Sequence, residues 1–191
     1  MQANSSPSAL RAEDPLTPPN PPNPLTLLAS GMEATLAQSA RMVAAHVAAS
    51  LPDTDTLLAG LPPGALAGSP DTYTRHLVHA DPYERFSVML LVWRPGQCSP
   101  VHGHRTWCAY RVLRGTLSER HYRWNPENRT ATQVGAVTRE TGDTFSVPAG
   151  LQHIHALGND SNAVAVSLHI YGVEQERIAT GVNLLVDTIV S

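Results

Sequence analysis

The chain has 191 residues, with 13 Lys+Arg against 16 Asp+Glu and a formal net charge of -3. That length suits one domain with a real core, and the mild acidity argues against nucleic acid as a partner, since a phosphate-binding surface needs a basic excess. No apolar run approaches the roughly 20 residues that span a bilayer, so no membrane role is expected.

Residues 1–24 hold seven of the 16 prolines. Fixed φ angles at that density exclude a regular helix or a central strand. The stretch reads as a flexible or polyproline-like tail, without the basic start and apolar run of a secretory signal. From 25 to about 50 the chain is Ala-rich and apolar at helical spacing, as in Met32-Glu33-Ala34-Thr35-Leu36-Ala37 and Met42-Val43-Ala44-Ala45-His46-Val47, which predicts one or two helices. Pro52, Gly60, Pro62, Pro63 and Gly64 then break the pattern. From about Tyr73 the sequence reads as β. Phe86 to Trp93 is apolar in both parities, as in a strand buried on both faces. Further strands are expected over Tyr110–Leu113, Leu117–Trp124, Thr132–Val137, Thr144–Val147 and Ala163–Tyr171, with polar turns between them. Residues 182–190 read as a last strand folded against the barrel. The expected organisation is a tail over 1–24, a helical segment over 25–70 and a β barrel over 71–191, with 25–191 forming one domain.

Two cysteines, Cys98 and Cys108, are too few for a disulfide framework and form no C-x-x-C clip. Nine histidines are more informative, because four of them fall in two short windows. In a strand, alternate side chains share a face, so His102 and His104 point the same way and make a natural pair of metal ligands. The window Pro148-Ala149-Gly150-Leu151-Gln152-His153-Ile154-His155 offers a third ligand from a neighbouring strand, through either His153 or His155. Ser167, His169 and Tyr171 alternate with Val166, Leu168 and Ile170, which puts three polar side chains on one face of a strand. Trp93, Trp107 and Trp124 read as barrel core or rim, and His46, His76, His79 and His121 carry no motif.

These windows resemble the cupin motifs. Gly96, His102, His104 and Gly115 fit the first, and Gly142, Pro148 and Gly150 the second. The Glu ligand of the first motif would fall at Cys108, so the resemblance is to a cupin with three His and no carboxylate. Tyr73-Thr74-Arg75-His76-Leu77-Val78, the run from Pro100 to Cys108, and Ser167-Leu168-His169-Ile170-Tyr171 together resemble the cysteine dioxygenase family over roughly residues 70–172. The resemblance implies a mostly β cupin, a small barrel or jelly roll with the N-terminal helices packed outside.

It further implies Fe(II) held by His102, His104 and His155. The cupin spacing from Pro148 points instead to His153, while Ile154-His155-Ala156-Leu157-Gly158-Asn159 resembles the thiol dioxygenase run. Ser167, His169 and Tyr171 would form a relay in which His169 bonds the Tyr171 hydroxyl. Arg75 would take the substrate carboxylate with a two-pronged guanidinium, beside Tyr73. Cys108 could join Tyr171 in a thioether of the kind found in animal members.

The implied reaction is oxidation of L-cysteine by O2 to cysteine sulfinic acid. The substrate supplies the electrons, so no organic cofactor is needed. A 3-mercaptopropionate dioxygenase is the alternative, since His104-Arg105-Thr106-Trp107 and Ile170-Tyr171-Gly172 look closer to that branch. A non-catalytic metal- or ligand-binding cupin stands apart from both, and would have no use for the Ser167-His169-Tyr171 series. Cysteine usage points to the cytoplasm, and the sequence leaves the oligomeric state open.

Overall fold

A computed structural model of the chain describes residues 23–50 and 54–189. The Pro-rich tail over residues 1–22 lies outside the described residues, so the expectation made for it has no structural counterpart. Pro24 itself is not tail but the first residue of helix α1 (Pro24–Ser50). The Asn23 side-chain oxygen accepts the Leu25 N–H at 2.9 Å. An Asn cap followed by Pro is a strong helix start, because the missing proline N–H would have had no partner there.

A short helix α2 (Thr54–Ala59) follows. The strands are β1 (Thr74–Ala80), β2 (Ser87–Trp93), β3 (His102–His104), β4 (Cys108–Arg114), β5 (Leu117–Asn125), β6 (Thr130–Arg139), β7 (Thr144–Val147), β8 (Gly150–Gly158) and β9 (Ala165–Tyr171). The chain ends in a turn of helix, α3 (Ile178–Gly181), and two short strands, β10 (Asn183–Leu185) and β11 (Asp187–Thr188). No described helix is long and apolar enough to cross a membrane.

The strands form two sheets, ordered β1-β2-β9-β4-β7 and β10-β3-β8-β5-β6-β11. β10 and β11 lie at opposite edges of the second sheet although only Val186 separates them. That sheet therefore curls until its edges nearly meet, which closes a mostly β, cupin-type barrel. The single last strand expected over 182–190 is in fact these two pieces, split because each must pair with a different edge.

β2 and β9 are buried on both faces, as the apolar run from Phe86 to Trp93 predicts. Inward, Met89, Leu91 and Trp93 meet Cys108, Tyr110, Val112 and Tyr171 in the barrel core. Outward, Leu90, Val92, Val166, Leu168 and Ile170 meet Val47 and Leu58 from the helices. The helices pack outside as expected, but α1 does so only through its C-terminal half. Ala40, Ala44 and Val47 form its buried stripe, whereas Leu25, Leu28 and Met32 are exposed. The sandwiching of β9 between core and helix fixes which of its side chains point into the barrel. Odd-numbered residues from 165 to 171 face inward, and the apolar even-numbered ones face α1 and α2.

Candidate metal centre

His102, His104 and His155 converge inside the barrel. One nitrogen from each lies within 4.8 Å of the others, and the three ring centroids are 4.8–5.0 Å apart. All three residues are buried. His102 and His104 come from β3 and share a face by strand alternation. His155 comes from β8, where it is the direct partner of His102.

The choice between His153 and His155 is made by an irregularity in that pairing. His104 lies opposite Gly150 and His102 opposite His155, so β8 uses five steps where β3 uses two. The cupin spacing from Pro148 assumes a regular strand and stops at His153. The bulged segment delays the inward position to His155. His153 is exposed and shares a surface groove with Arg41 of α1.

Hydrogen bonds fix the tautomers. His102 Nδ1 lies 2.8 Å from the Pro100 carbonyl, which can only accept, so Nδ1 donates and Nε2 keeps its lone pair. His155 Nδ1 donates in the same way to the Glu119 carboxylate at 2.6 Å. His104 Nδ1 is buried and, among the described residues, has no hydrogen-bond partner. Burial, with the neighbouring imidazoles, lowers His102 to about 4 and His104 to about 2. Rings that shed protons so readily stay ready to give a lone pair to a cation. Imidazole lone pairs gathered without a carboxylate suit a divalent transition-metal ion rather than Mg²⁺ or Ca²⁺, which seek oxygen. The residues present therefore fit such an ion.

One small pocket opens over the cluster, with about 30 Å³ of free space. Tyr73, Arg75, His102, His104, Cys108, His155, His169 and Tyr171 line it, whereas Ser167 lies behind His169 and His153 lies elsewhere. Tyr73 and Arg75, at the start of β1, sit together, the guanidinium donating to the Tyr73 hydroxyl at 2.7 Å. Tyr73 in turn stacks on Trp93 with centroids 4.2 Å apart. Cys108 and Tyr171 are partners in the β4–β9 register. Burial pushes both groups up, helped at Cys108 by the Glu119 charge and at Tyr171 by Cys108, and keeps them protonated.

The polar face of β9 differs from expectation in one link. Ser167 Oγ and His169 Nε2 are 2.9 Å apart. Among the described residues, however, His169 and Tyr171 meet as tilted rings with centroids 5.7 Å apart, not through a hydrogen bond. The ordering partner is instead Trp93, whose Nε1–H donates to Ser167 Oγ at 2.9 Å. Indole can only donate, so Ser167 Oγ accepts there while its other side faces His169 Nε2. Burial lowers His169 to about 3, so the ring is neutral.

Sequence reasoning missed Glu119 of β5, which is 2% exposed. Burial alone would raise its carboxyl, but bonds and charges from His155 and Arg139 hold it at about 2. Its position was readable from strand parity, because Leu117 faces the core and Glu119 is two residues on. Trp93, read as barrel core or rim, carries an N–H that donates to Ser167.

Barrel and cluster together define a cupin-type protein with a three-histidine candidate metal centre. The profile of the family described as Cysteine dioxygenase type I matches residues 67–179. The chain belongs to that family. Cysteine dioxygenase type 1 of Homo sapiens is 30% identical over 103 residues, covering 52% of this chain and 50% of that protein, and the protein of the same name from Pongo abelii matches equally. The chain thus spans about half the length of the curated relatives it matches. Among solved structures, TT1209 from Thermus thermophilus aligns at 23% identity with a TM-score of 0.44, covering 55% of this chain and 87% of that one.

Proposed function

We propose that this protein is an iron(II)-dependent thiol dioxygenase that oxidises L-cysteine with O2 to cysteine sulfinic acid. The observation that carries the proposal is one small pocket lined by both the three-imidazole cluster and a guanidinium. When bound by His102, His104 and His155, ferrous iron would supply the place where a thiolate and O2 can react. Both atoms of one O2 end on the sulfur of one thiol, so R–SH becomes R–SO2H with no outside reductant.

The chain's own residues do the positioning. Arg75 receives the substrate carboxylate, and its bond to Tyr73, with Trp93 stacked behind, limits the directions in which the fork can turn. Tyr171 stays protonated in its buried place and offers a hydroxyl donor to the reacting group. His169, kept neutral by burial and bonded to Ser167, lines the pocket beside it. Cys108 lies across the strand pair from Tyr171. We extend the proposal to a thioether between them, in which Sγ bonds to a ring carbon and two electrons and two protons leave to O2.

A second reading has one observation in its favour. Among the described residues, no acidic side chain lines the pocket, so nothing there pairs with a substrate ammonium. 3-Mercaptopropionate, a thiol carboxylate with no amine, fits that lining equally well. The test is oxygen uptake by the iron-loaded protein with cysteine, 3-mercaptopropionate and cysteamine side by side, with product mass. Sulfinate formed fastest from cysteine supports the proposal. Faster turnover of 3-mercaptopropionate moves the substrate to the second reading, and no thiol-dependent uptake removes the activity altogether.

A further inference from the structure

A buried carboxylate must satisfy about four lone-pair positions, and Glu119 does so asymmetrically. Oε2 accepts from Tyr110 Oη at 3.0 Å and from Arg139 Nε at 2.6 Å, and the Arg139 Nη2 lies 2.5 Å away. Oε1 faces His155 Nδ1 at 2.6 Å. The Arg139 guanidinium lies 3.4 Å over the Phe145 ring, which holds it in place. One oxygen is thus anchored to the barrel wall, and the other is presented to an imidazole of the cluster.

The three imidazoles are not supported alike. His102 leans on a neutral backbone carbonyl, His155 on an ionised carboxylate, and His104 Nδ1 on no partner among the described residues. A proton shared with a carboxylate makes the far nitrogen of the ring a stronger donor and fixes its orientation. Glu119 also reaches the β9 face, because its partner Tyr110 stacks on His169 with centroids 5.3 Å apart and planes 15° apart.

We infer that Glu119 is a positioning residue for the metal. It is a carboxylate set behind His155 that does, through the imidazole, what the acidic ligand absent at Cys108 does directly in other cupins. It lends negative charge to the centre without occupying a coordination position. The anchoring of Oε2 by Tyr110 and Arg139 makes that charge a fixed feature of the barrel. This inference rests on the metal-centre reading above.

The test is a chelator-competition titration of Co(II) into the full chain and its Glu119→Gln variant, with His153→Ala as comparison. Glutamine keeps the size of the side chain but presents no charge to His155. Loss of a carboxylate behind a ligating histidine lowers metal affinity by about 10–100-fold. That fall is expected for Glu119→Gln. His153→Ala, which removes an exposed side chain outside the cluster, should leave Co(II) affinity at that of the native chain. Equal affinity in native and Glu119→Gln proteins overturns the inference while leaving the metal centre intact. Absence of Co(II) binding to the native chain overturns both.

If Glu119→Gln does not fold, long-range ¹H–¹⁵N spectra of the native protein decide the matter. The expected pattern is a proton on His155 Nδ1 in both the metal-free and Zn(II)-bound forms, with Nε2 shifting on binding. A proton on Nε2, or coordination through Nδ1, refutes the role.

Discussion

Gly103 separates two of the clustered histidines, and alanine there should part the strands that carry all three. A Cβ on Gly103 would fall 2.6 Å from the Gly150 carbonyl oxygen and 3.0 Å from Leu151 Cδ2. Ordinary contact begins near 3.4 Å, so β3 and β8 must separate by about 0.8 Å. No rotamer change relieves the clash with Gly150, because the atom met is backbone. The register places the wedge between the His102–His155 and His104–Gly150 pairs. Overpacking of this kind costs about 1–3 kcal/mol, or about 2–12 °C in Tm for a chain of this size. A site that tolerates only about 0.5 Å of displacement should lose more than about tenfold in metal affinity. Scanning calorimetry and Co(II) titration of Gly103→Ala beside the native chain read both effects. An unchanged Tm with an unchanged Kd would refute the steric coupling of this glycine to the cluster.

Three further outcomes follow from the geometry. Ser167→Ala strands the Trp93 N–H and His169 Nε2 in a buried site, at about 1–3 kcal/mol each. Urea unfolding should register that loss, and adding Trp93→Phe should restore part of it, whereas strictly additive losses would contradict the shared bond. In the metal-free protein, His102 and His169 titrate at about 4 and about 3, below the ordinary 6.5, so the unfolded chain binds more protons in that window. Stability should therefore fall as pH drops below about 6.5, by up to about 1.4 kcal/mol per pH unit for each ring. Denaturation midpoints flat between pH 7 and pH 5 would show that these rings are not held neutral. Arg75→Gln should weaken cysteine by roughly 10–150-fold, the worth of a charged hydrogen bond, and cysteamine, which lacks the carboxylate, far less. Equal loss with both thiols would remove Arg75 from carboxylate binding.

Local features of the sequence carried much of the barrel. The double-sided apolar run of β2 and the period-two face of β9 follow from parity alone, and the structure buries both as parity requires. The gathering of His102 and His104 needed only their spacing. What parity could not supply was pairing across distance. Glu119 meets a histidine 36 residues away, and Trp93 meets a serine 74 residues away. The offset that carries His155 rather than His153 inward lives in the β3–β8 register, which no single strand encodes. The division of the C-terminal segment into β10 and β11 depends on the second sheet curling until its edges approach. The limited docking of α1 was not legible either, since its exposed Leu25, Leu28 and Met32 are at least as apolar as its packed Ala40, Ala44 and Val47.

The most direct measurement is anaerobic Fe(II) binding to the native chain and to His102→Ala, His104→Ala, His155→Ala and His153→Ala, with stoichiometry from elemental analysis. A shared three-imidazole centre predicts one tightly held ion per chain, lost in the first three variants and kept when His153 is removed. Tight binding that survives His155→Ala, or that disappears with His153→Ala, would contradict it.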